Sequence, residues 1–339
     1  GAGNKPVRKI LKRIGFNNVV VVKEQELPDG DFPTVESPNP ENKEGFKLAI
    51  GYAKECGADL IVGTDPDSDR VGILVKNDKG EYVTFTGNQV GTLLSEYILS
   101  ALAEKNAVPK DGYIVKTIVT TNIIQAICDA YGIEMKEVLT GFKFIGEKIK
   151  ESEENGIGTY IFGFEESYGY LKGTYARDKD AVVATMLIAE MALYYQENGT
   201  SIFEQMDNIY KKYGYYKEEV VSVTLEGIEG LAKIKSTMDR LTDLRQTPPT
   251  KVAGMDVVLY TDYQSQTIKD TKGNVSPLKG LPKSNVLKYN LSDEKTYFIV
   301  RPSGTEPKIK LYCLMKGETE EEANELLKLV KEDIDRIIE

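Results

Sequence analysis

Apolar residues fall into short continuous runs alternating with stretches of three-to-four-residue spacing, which predicts strands and helices in turn. Residues 7–14 read as a short helix stopped by Gly15, and 19–22 as a buried strand. Residues 27–40, rich in Pro, Asp and Asn, must be loop. Phe46, Ala49, Ile50, Ala53 and Cys56 recur at helical spacing up to Gly57, a stop signal. Runs 60–62 and 71–75 are strands, and Asn77-Asp78-Lys79-Gly80 turns the chain so that 82–85 pairs back as a hairpin. Thr86 with Gln89 makes a capping box for a helix burying Val90, Leu94, Tyr97, Ile98 and Ala101. Such alternation means a largely parallel sheet.

After a linker at 105–112 the rhythm repeats. Strands are expected over 113–119, 135–139 and 160–162, and helices over 123–131, 144–150 and 180–196. The run 210–217 reads as a hinge or a packed surface turn. Beyond it, strand runs 220–225, 256–260, 286–289, 297–300 and 309–315 lie between helical stretches 228–241 and 319–338. The expected fold is therefore α/β: two doubly wound α/β domains with mixed sheets (1–106 and 107–213), then an α+β domain with a mainly antiparallel sheet (214–339).

A chain of 339 residues, 41% hydrophobic and 28% charged, has the make-up of a soluble globular protein. Its net charge of −10 argues against a nucleic-acid partner. The apolar run from Ala181 is broken by Glu190, so no membrane span is expected. Cys56, Cys128 and Cys313 sit far apart in apolar stretches, which predicts buried reduced thiols and a cytoplasmic setting. Histidine is absent, excluding Ser-His-Asp chemistry and a His general base; proton transfer must use Lys, Tyr or a carboxylate.

Three stretches carry candidate chemistry. In Gly63-Thr64-Asp65-Pro66-Asp67-Ser68-Asp69-Arg70, three carboxylates stand at alternate positions between two strand runs. In a strand-like or tight-loop backbone they point the same way and repel unless a cation lies between them, and hard oxygen ligands suit Mg²⁺. An EF-hand is excluded, because its sixth and twelfth positions are here Arg70 and Lys76. Glu165 and Ser167, in the run Gly163 to Tyr170 at a strand end, can accept from and donate to vicinal sugar hydroxyls, with Thr140 and Gly141 at the preceding strand end. Arg177 and Lys179 precede the long helix and either face an anion or are solvated. In Arg301-Pro302-Ser303-Gly304-Thr305-Glu306-Pro307, Gly304 lets amides turn inward, Ser303 and Thr305 add hydroxyls, and Arg301 can grip an oxyanion with Lys310 beyond it.

In this order, the three stretches resemble those of the α-D-phosphohexomutase superfamily, and within it the bacterial phosphoglucomutases. The resemblance implies that Asp65, Asp67 and Asp69 bind Mg²⁺, with Arg70 beside a phosphorylated nucleophile. It implies that Glu165 and Ser167 hold the 3- and 4-hydroxyls of a sugar phosphate, with Thr140 and Gly141 nearby. Arg301, Ser303, Gly304, Thr305 and Lys310 would hold the phosphate not being transferred, and Lys179 matches a lysine near the reacting hydroxyl. The reaction implied is interconversion of glucose 1-phosphate and glucose 6-phosphate through glucose 1,6-bisphosphate. Phosphomannomutase and phosphopentomutase are the alternatives within the superfamily.

One departure matters. The family has four domains, the first carrying a phosphoserine in a Ser-His-Asn-Pro-like motif, and no such motif occurs here. The chain looks like the last three domains, and its opening Gly1-Ala2-Gly3-Asn4-Lys5-Pro6 reads as a strand-to-helix turn whose strand is cut away. Without the serine domain the chain is expected to be inactive alone and to hold its metal weakly. Two other classes stand beside this reading. A haloacid-dehalogenase-type phosphatase would use Asp65 as nucleophile but lacks its downstream metal motif, and a non-catalytic Mg²⁺ and sugar-phosphate binding module fits the missing nucleophile.

Overall fold

The computed structural model describes residues 1–224, 243–292, 295–302 and 308–338. The helix expected over 228–241 lies outside them. The chain divides into two compact units, Gly1–Tyr213 and Gly214–Glu339.

In the first unit, α1 (Asn4–Arg13) and α2 (Lys47–Cys56) form where helical spacing puts them. Gly57 ends α2 in the left-handed region (φ 70°), its N–H returning to Ala53 O, a conformation that costs glycine nothing. Strands β1 (Leu60–Thr64), β2 (Val71–Lys76) and β3 (Tyr82–Phe85) follow in the sheet order β1-β2-β3. Both pairings are antiparallel, so the parallel sheet expected here is not formed. The loop between β1 and β2 is too short for the crossover that parallel strands need. Residues 19–22 are also not a strand: Val19 and Val20 are 41% and 51% exposed, and an apolar run without a ladder partner has nothing to make it extended and buried. Cys56 is exposed, whereas Cys128 and Cys313 are buried as expected. As the last residue of α2, Cys56 lies beyond the stripe anchored by Ala53, the helix's one buried residue.

Helix α3 (Gly87–Glu104) opens with the expected capping box, Gln89 N–H to Thr86 Oγ1 at 3.2 Å and Thr86 N–H to Gln89 Oε1 at 2.9 Å. Then come β4 (Gly112–Thr117), α4 (Ile123–Tyr131), β5 (Glu134–Val138), α5 (Phe142–Asn155), β6 (Thr159–Glu165), β7 (Gly169–Leu171), α6 (Ala181–Glu197) and α7 (Ile202–Tyr213). The second sheet runs β5-β4-β6-β7, with β4 parallel to both neighbours and β7 antiparallel at the edge. Tyr113, Val115, Val138, Ile145, Ile149 and Tyr160 pack its core against α5. Helix α7 stands where a hinge or turn was expected at its C-terminal end. Buried Glu96 of α3 fixes that end by accepting from Tyr131 Oη, Lys212 Nζ and Tyr213 Oη, each at 3.0 Å.

Among its described residues, the second unit forms one sheet of eight strands: β8 (Tyr215–Thr224), β9 (Lys251–Val252), β10 (Met255–Asp262), β11 (Thr267–Asp270), β12 (Val275–Pro277), β13 (Leu287–Leu291), β14 (Thr296–Pro302) and β15 (Lys308–Gly317). Its order is β12-β11-β10-β13-β14-β15-β8, with β9 on β10, and every pairing is antiparallel. Helix α8 (Glu320–Ile338) packs on β15 and β8, burying Val330 and Ile334 in a core with Leu311, Cys313 and Met315. Strands β9, β11 and β12, each of four residues or fewer, were not expected. No helix among the described residues is long and apolar enough to cross a membrane.

Candidate active site

The aspartate loop is a tight connection between two antiparallel strands. Asp65 organises it from within: its Oδ1 accepts from the backbone N–H of both Asp69 and Arg70 at 3.0 Å. Ser68 takes a left-handed conformation (φ 63°), uncommon for a residue with a side chain. The turn brings one carboxylate oxygen from each of Asp65, Asp67 and Asp69 within 4.8 Å of one another. Asp65 is buried and Asp67 exposed. Burial pushes Asp65 up to about 7, against the Arg70 amide that holds it down; Asp69 and Asp67 add to the rise.

Two cations answer the triad. Lys179 Nζ lies 2.8 Å from Asp69 Oδ2 and 3.0 Å from Asp178 Oδ1. Burial works to lower Lys179, but hydrogen bonds and charge from Asp69 and Asp178 win, and its pKa rises above the usual lysine value. Arg70 Nε is 3.7 Å from Asp69 Oδ1 and 3.9 Å from Asp65 Oδ2, and its NH1 lies 3.4 Å from Glu41 Oε1. Asp69 Oδ1 is buried and has no hydrogen-bond partner. An orphaned carboxylate oxygen turned into a group of hard oxygen donors fits a divalent cation such as Mg²⁺.

The run 163–170 reaches the same place. Arg70 and Gly169 form an antiparallel bridge, and Val71 N–H donates to Tyr168 O at 3.0 Å. A Cβ on Gly169 would lie 2.1 Å from Lys179 Cδ, so a larger residue there would push this lysine off its present path to Asp69. Gly141 (φ 114°) donates its N–H to Glu165 Oε1 at 2.8 Å. Burial raises Glu165, opposed by that amide and by Lys179 and Arg70. The first unit therefore gathers Asp65, Asp67, Asp69, Arg70, Lys179, Gly141 and Glu165, with half-buried Thr140 beside Gly141 and half-buried Ser167 two residues past Glu165. Arg177 is not part of this group; it pairs with Glu153 and donates to Thr174 O.

In the second unit, Arg301 and Lys310 stand directly opposite each other on β14 and β15. Ser303, Gly304 and Thr305, expected in the loop joining them, lie outside the described residues. Sequence reasoning missed Glu41 and Asp178, the counter-charges of Arg70 and Lys179. It also missed Thr117 and Thr120, whose hydroxyls lie at the β4 end beside Glu166. Nothing in the spacing of Glu41 or Thr120 marks them, because they arrive from other loops; Asp178 stands next to Lys179 and was legible.

Two family models match: phosphoglucomutase/phosphomannomutase α/β/α domain II over residues 1–80 and domain III over 86–213, together more than half of the chain. A phosphoglucomutase of Staphylococcus saprophyticus is 35% identical over 316 residues, covering 93% of this chain and 56% of that protein. One of Staphylococcus aureus is 37% identical over 314 residues, covering 91% and 54%. The open form of parafusin, a phosphoglucomutase from Paramecium, shares the fold with a TM-score of 0.58 at 17% identity, covering 90% of this chain and 49% of that one. With fold, loops and relatives in agreement, the chain belongs to the phosphoglucomutase/phosphomannomutase family. It spans about half the length of the curated relatives it matches.

Proposed function

We propose that this chain supplies the metal site, sugar-reading loop and distal phosphate grip of a phosphoglucomutase, an enzyme that interconverts glucose 1-phosphate and glucose 6-phosphate. The observation that carries the reading is the meeting of the aspartate triad, Arg70, Lys179 and the Glu165 loop within one unit. Asp65, Asp67 and Asp69 would hold Mg²⁺, which when bound supplies positive charge against the phosphoryl group in transit. Arg70 adds a guanidinium on the same side. Lys179, held protonated by two carboxylates, acts as a charge and proton donor at the bridging oxygen rather than as a resting base. Glu165 and Ser167, with Thr140 and Gly141 behind them, read the 3- and 4-hydroxyls, groups common to both orientations of a glucose bisphosphate. Arg301, Ser303, Gly304, Thr305 and Lys310 would grip the phosphate that stays on the sugar.

We divide the first unit into an aspartate-loop domain, residues 1–106, and a sugar-loop domain, residues 107–213. The nucleophile in this scheme is a phosphoserine on a further domain, the partner of this chain, and glucose 1,6-bisphosphate is intermediate and primer. The protein works in the cytoplasm. Glucose and mannose differ at carbon 2, away from the hydroxyls that Glu165 and Ser167 read, so phosphomannomutase activity is the neighbouring reading. Without the serine the chain binds glucose 1,6-bisphosphate in the presence of Mg²⁺ but turns nothing over. Calorimetric titration with the bisphosphate and a coupled assay for glucose 6-phosphate test both halves. Absence of Mg²⁺-dependent binding sinks the site assignment, and glucose 6-phosphate formed from glucose 1-phosphate sinks the inactivity claim.

A further inference from the structure

We infer that Glu166 is a positioning residue for the sugar-reading loop: with Thr117 and Thr120 it forms a proton-sharing triangle that fixes the direction of Glu165 and Ser167. The inference rests on the sugar-site reading of those two residues.

Three oxygens make the triangle. Thr117 Oγ1 and Thr120 Oγ1 are 2.7 Å apart, and each lies 3.3 Å from Glu166 Oε2. Both threonines are fully buried, so water does not supply their missing hydrogen bonds, while Glu166 is half-buried. Two hydroxyls bring two protons to three contacts, and a carboxylate brings none. A protonated Glu166 brings the third: its O–H donates to one threonine, that hydroxyl to the other, and the second hydroxyl back to Oε2. The closed ring exists only when Glu166 is neutral; ionised, one edge must open.

Neighbouring groups favour the neutral form. Burial, with Glu165 and then Glu41 adding repulsion against a donor bond from Thr120, pushes Glu166 up to about 7. The one cation on the β4 side, Lys116, is spent elsewhere. Its fully buried Nζ donates to Thr117 O and Thr120 O at 3.3 Å and pairs with Glu137 at 2.7 Å. It thereby locks the turn that carries both hydroxyls. The first turn of α3 brings Gly87, Asn88 and Gln89, none charged, and Tyr168 stands on the loop itself.

The backbone of Glu166 is fixed from the opposite side. A Cβ on Gly87 would lie 2.0 Å from Glu166 O and 2.8 Å from Tyr168 N, so the loop rests directly on the start of α3. Glu166 is thus held at its carbonyl by α3 and at its carboxyl by the threonines. Glu165 and Ser167, on either side of this fixed point, take their directions from it. Opening the triangle frees the loop at the residue between its two ligand-reading side chains.

Carboxyl ¹³C NMR of the ligand-free, ¹³C-labelled chain tests this, with Glu166 Cδ assigned as the resonance absent in Glu166→Gln. Its titration midpoint is expected near 7 instead of the ordinary ~4.3. The Ser167 and Tyr168 amide shifts should carry an inflection at the same midpoint. Glu166→Gln, which keeps a donor and an acceptor, should lose that inflection and retain the low-pH loop shifts. A Glu166 midpoint in the ordinary carboxylate range, or the same loop inflection persisting in Glu166→Gln, overturns the inference. Glucose 6-phosphate added to the same samples separates the two readings: a neutral midpoint without glucose 6-phosphate binding supports the triangle and counts against the sugar assignment alone.

Discussion

Gly87→Ala drives a methyl group into the sugar-reading loop from below. Gly87 is the first residue of α3, and its Cβ would meet backbone atoms, Glu166 O at 2.0 Å and Tyr168 N at 2.8 Å. Backbone cannot swing aside as a flexible side chain can, so the helix start and the loop must part. Contacts this close to backbone fall at the upper end of the about 1–3 kcal/mol that overpacking costs, about 2–3 kcal/mol, and the gain in helix propensity recovers at most about 1 kcal/mol. The net cost of about 1–2 kcal/mol lowers the melting temperature of a unit of this size by roughly 2–8 °C. Gly51→Ala is the matched control. It lies inside α2 with nothing within 4 Å of its Cβ position and should stabilise by about 0.5–1 kcal/mol. Differential scanning calorimetry reads both, and amide spectra should show the Gly87 variant's changes centred on 165–168. Melting of Gly87→Ala at or above wild type, with Gly51→Ala behaving as stated, refutes the claim that the loop rests on α3.

Two further outcomes follow from Lys116 and Glu166, the ionisable groups behind the site. Lys116→Met leaves Glu137 and two carbonyls without their ammonium. Because Glu137 is partly exposed and can rehydrate, the loss should be about 2–3 kcal/mol in urea unfolding, below the full cost of breaking a buried pair, and no change in midpoint would show that the lysine does not hold the 117–120 turn. Glu166, raised to about 7 in the fold, favours folding most fully below the unfolded value near 4.5, and that contribution is lost as pH rises through about 7. Wild type should therefore lose up to about 3 kcal/mol relative to Glu166→Gln between pH 5 and pH 8; parallel stability curves for the two proteins would contradict this.

What was legible in the sequence was local. The aspartate loop, the Thr86–Gln89 capping box and the glycine stop of α2 each depend on residues within a few positions, and each stands where the sequence puts it. Strand partners depend on distant residues. The run 19–22 has strand composition but no ladder, and β1 pairs antiparallel because its neighbour is reached by a short loop rather than a helix. Helix α7 did carry a signal that went unread. Ser201 and Glu204 form a capping box, and Ile202, Met206 and Ile209 make a buried stripe behind it. Within the site, Asp65, Arg70, Lys179 and Glu165 were identifiable from their motifs. Glu41, the counter-charge of Arg70, and Thr117 and Thr120, the partners of Glu166, arrive from separate loops and became visible only once the chain was folded.

In the proposed function the aspartate triad is a divalent-cation site serving a sugar phosphate. Mn²⁺ titration of the chain followed by electron paramagnetic resonance tests it most directly, in wild type and in Asp67→Asn. Asp67 is the member to change, because it is exposed, whereas Asp65 also ties down the Asp69 and Arg70 amides. The expected result is one weak Mn²⁺ site per chain, competed by Mg²⁺, tightened by glucose 1,6-bisphosphate and weakened at least about tenfold by Asp67→Asn. Equal Mn²⁺ binding by wild type and Asp67→Asn, or no Mn²⁺ bound even with the bisphosphate present, would contradict it.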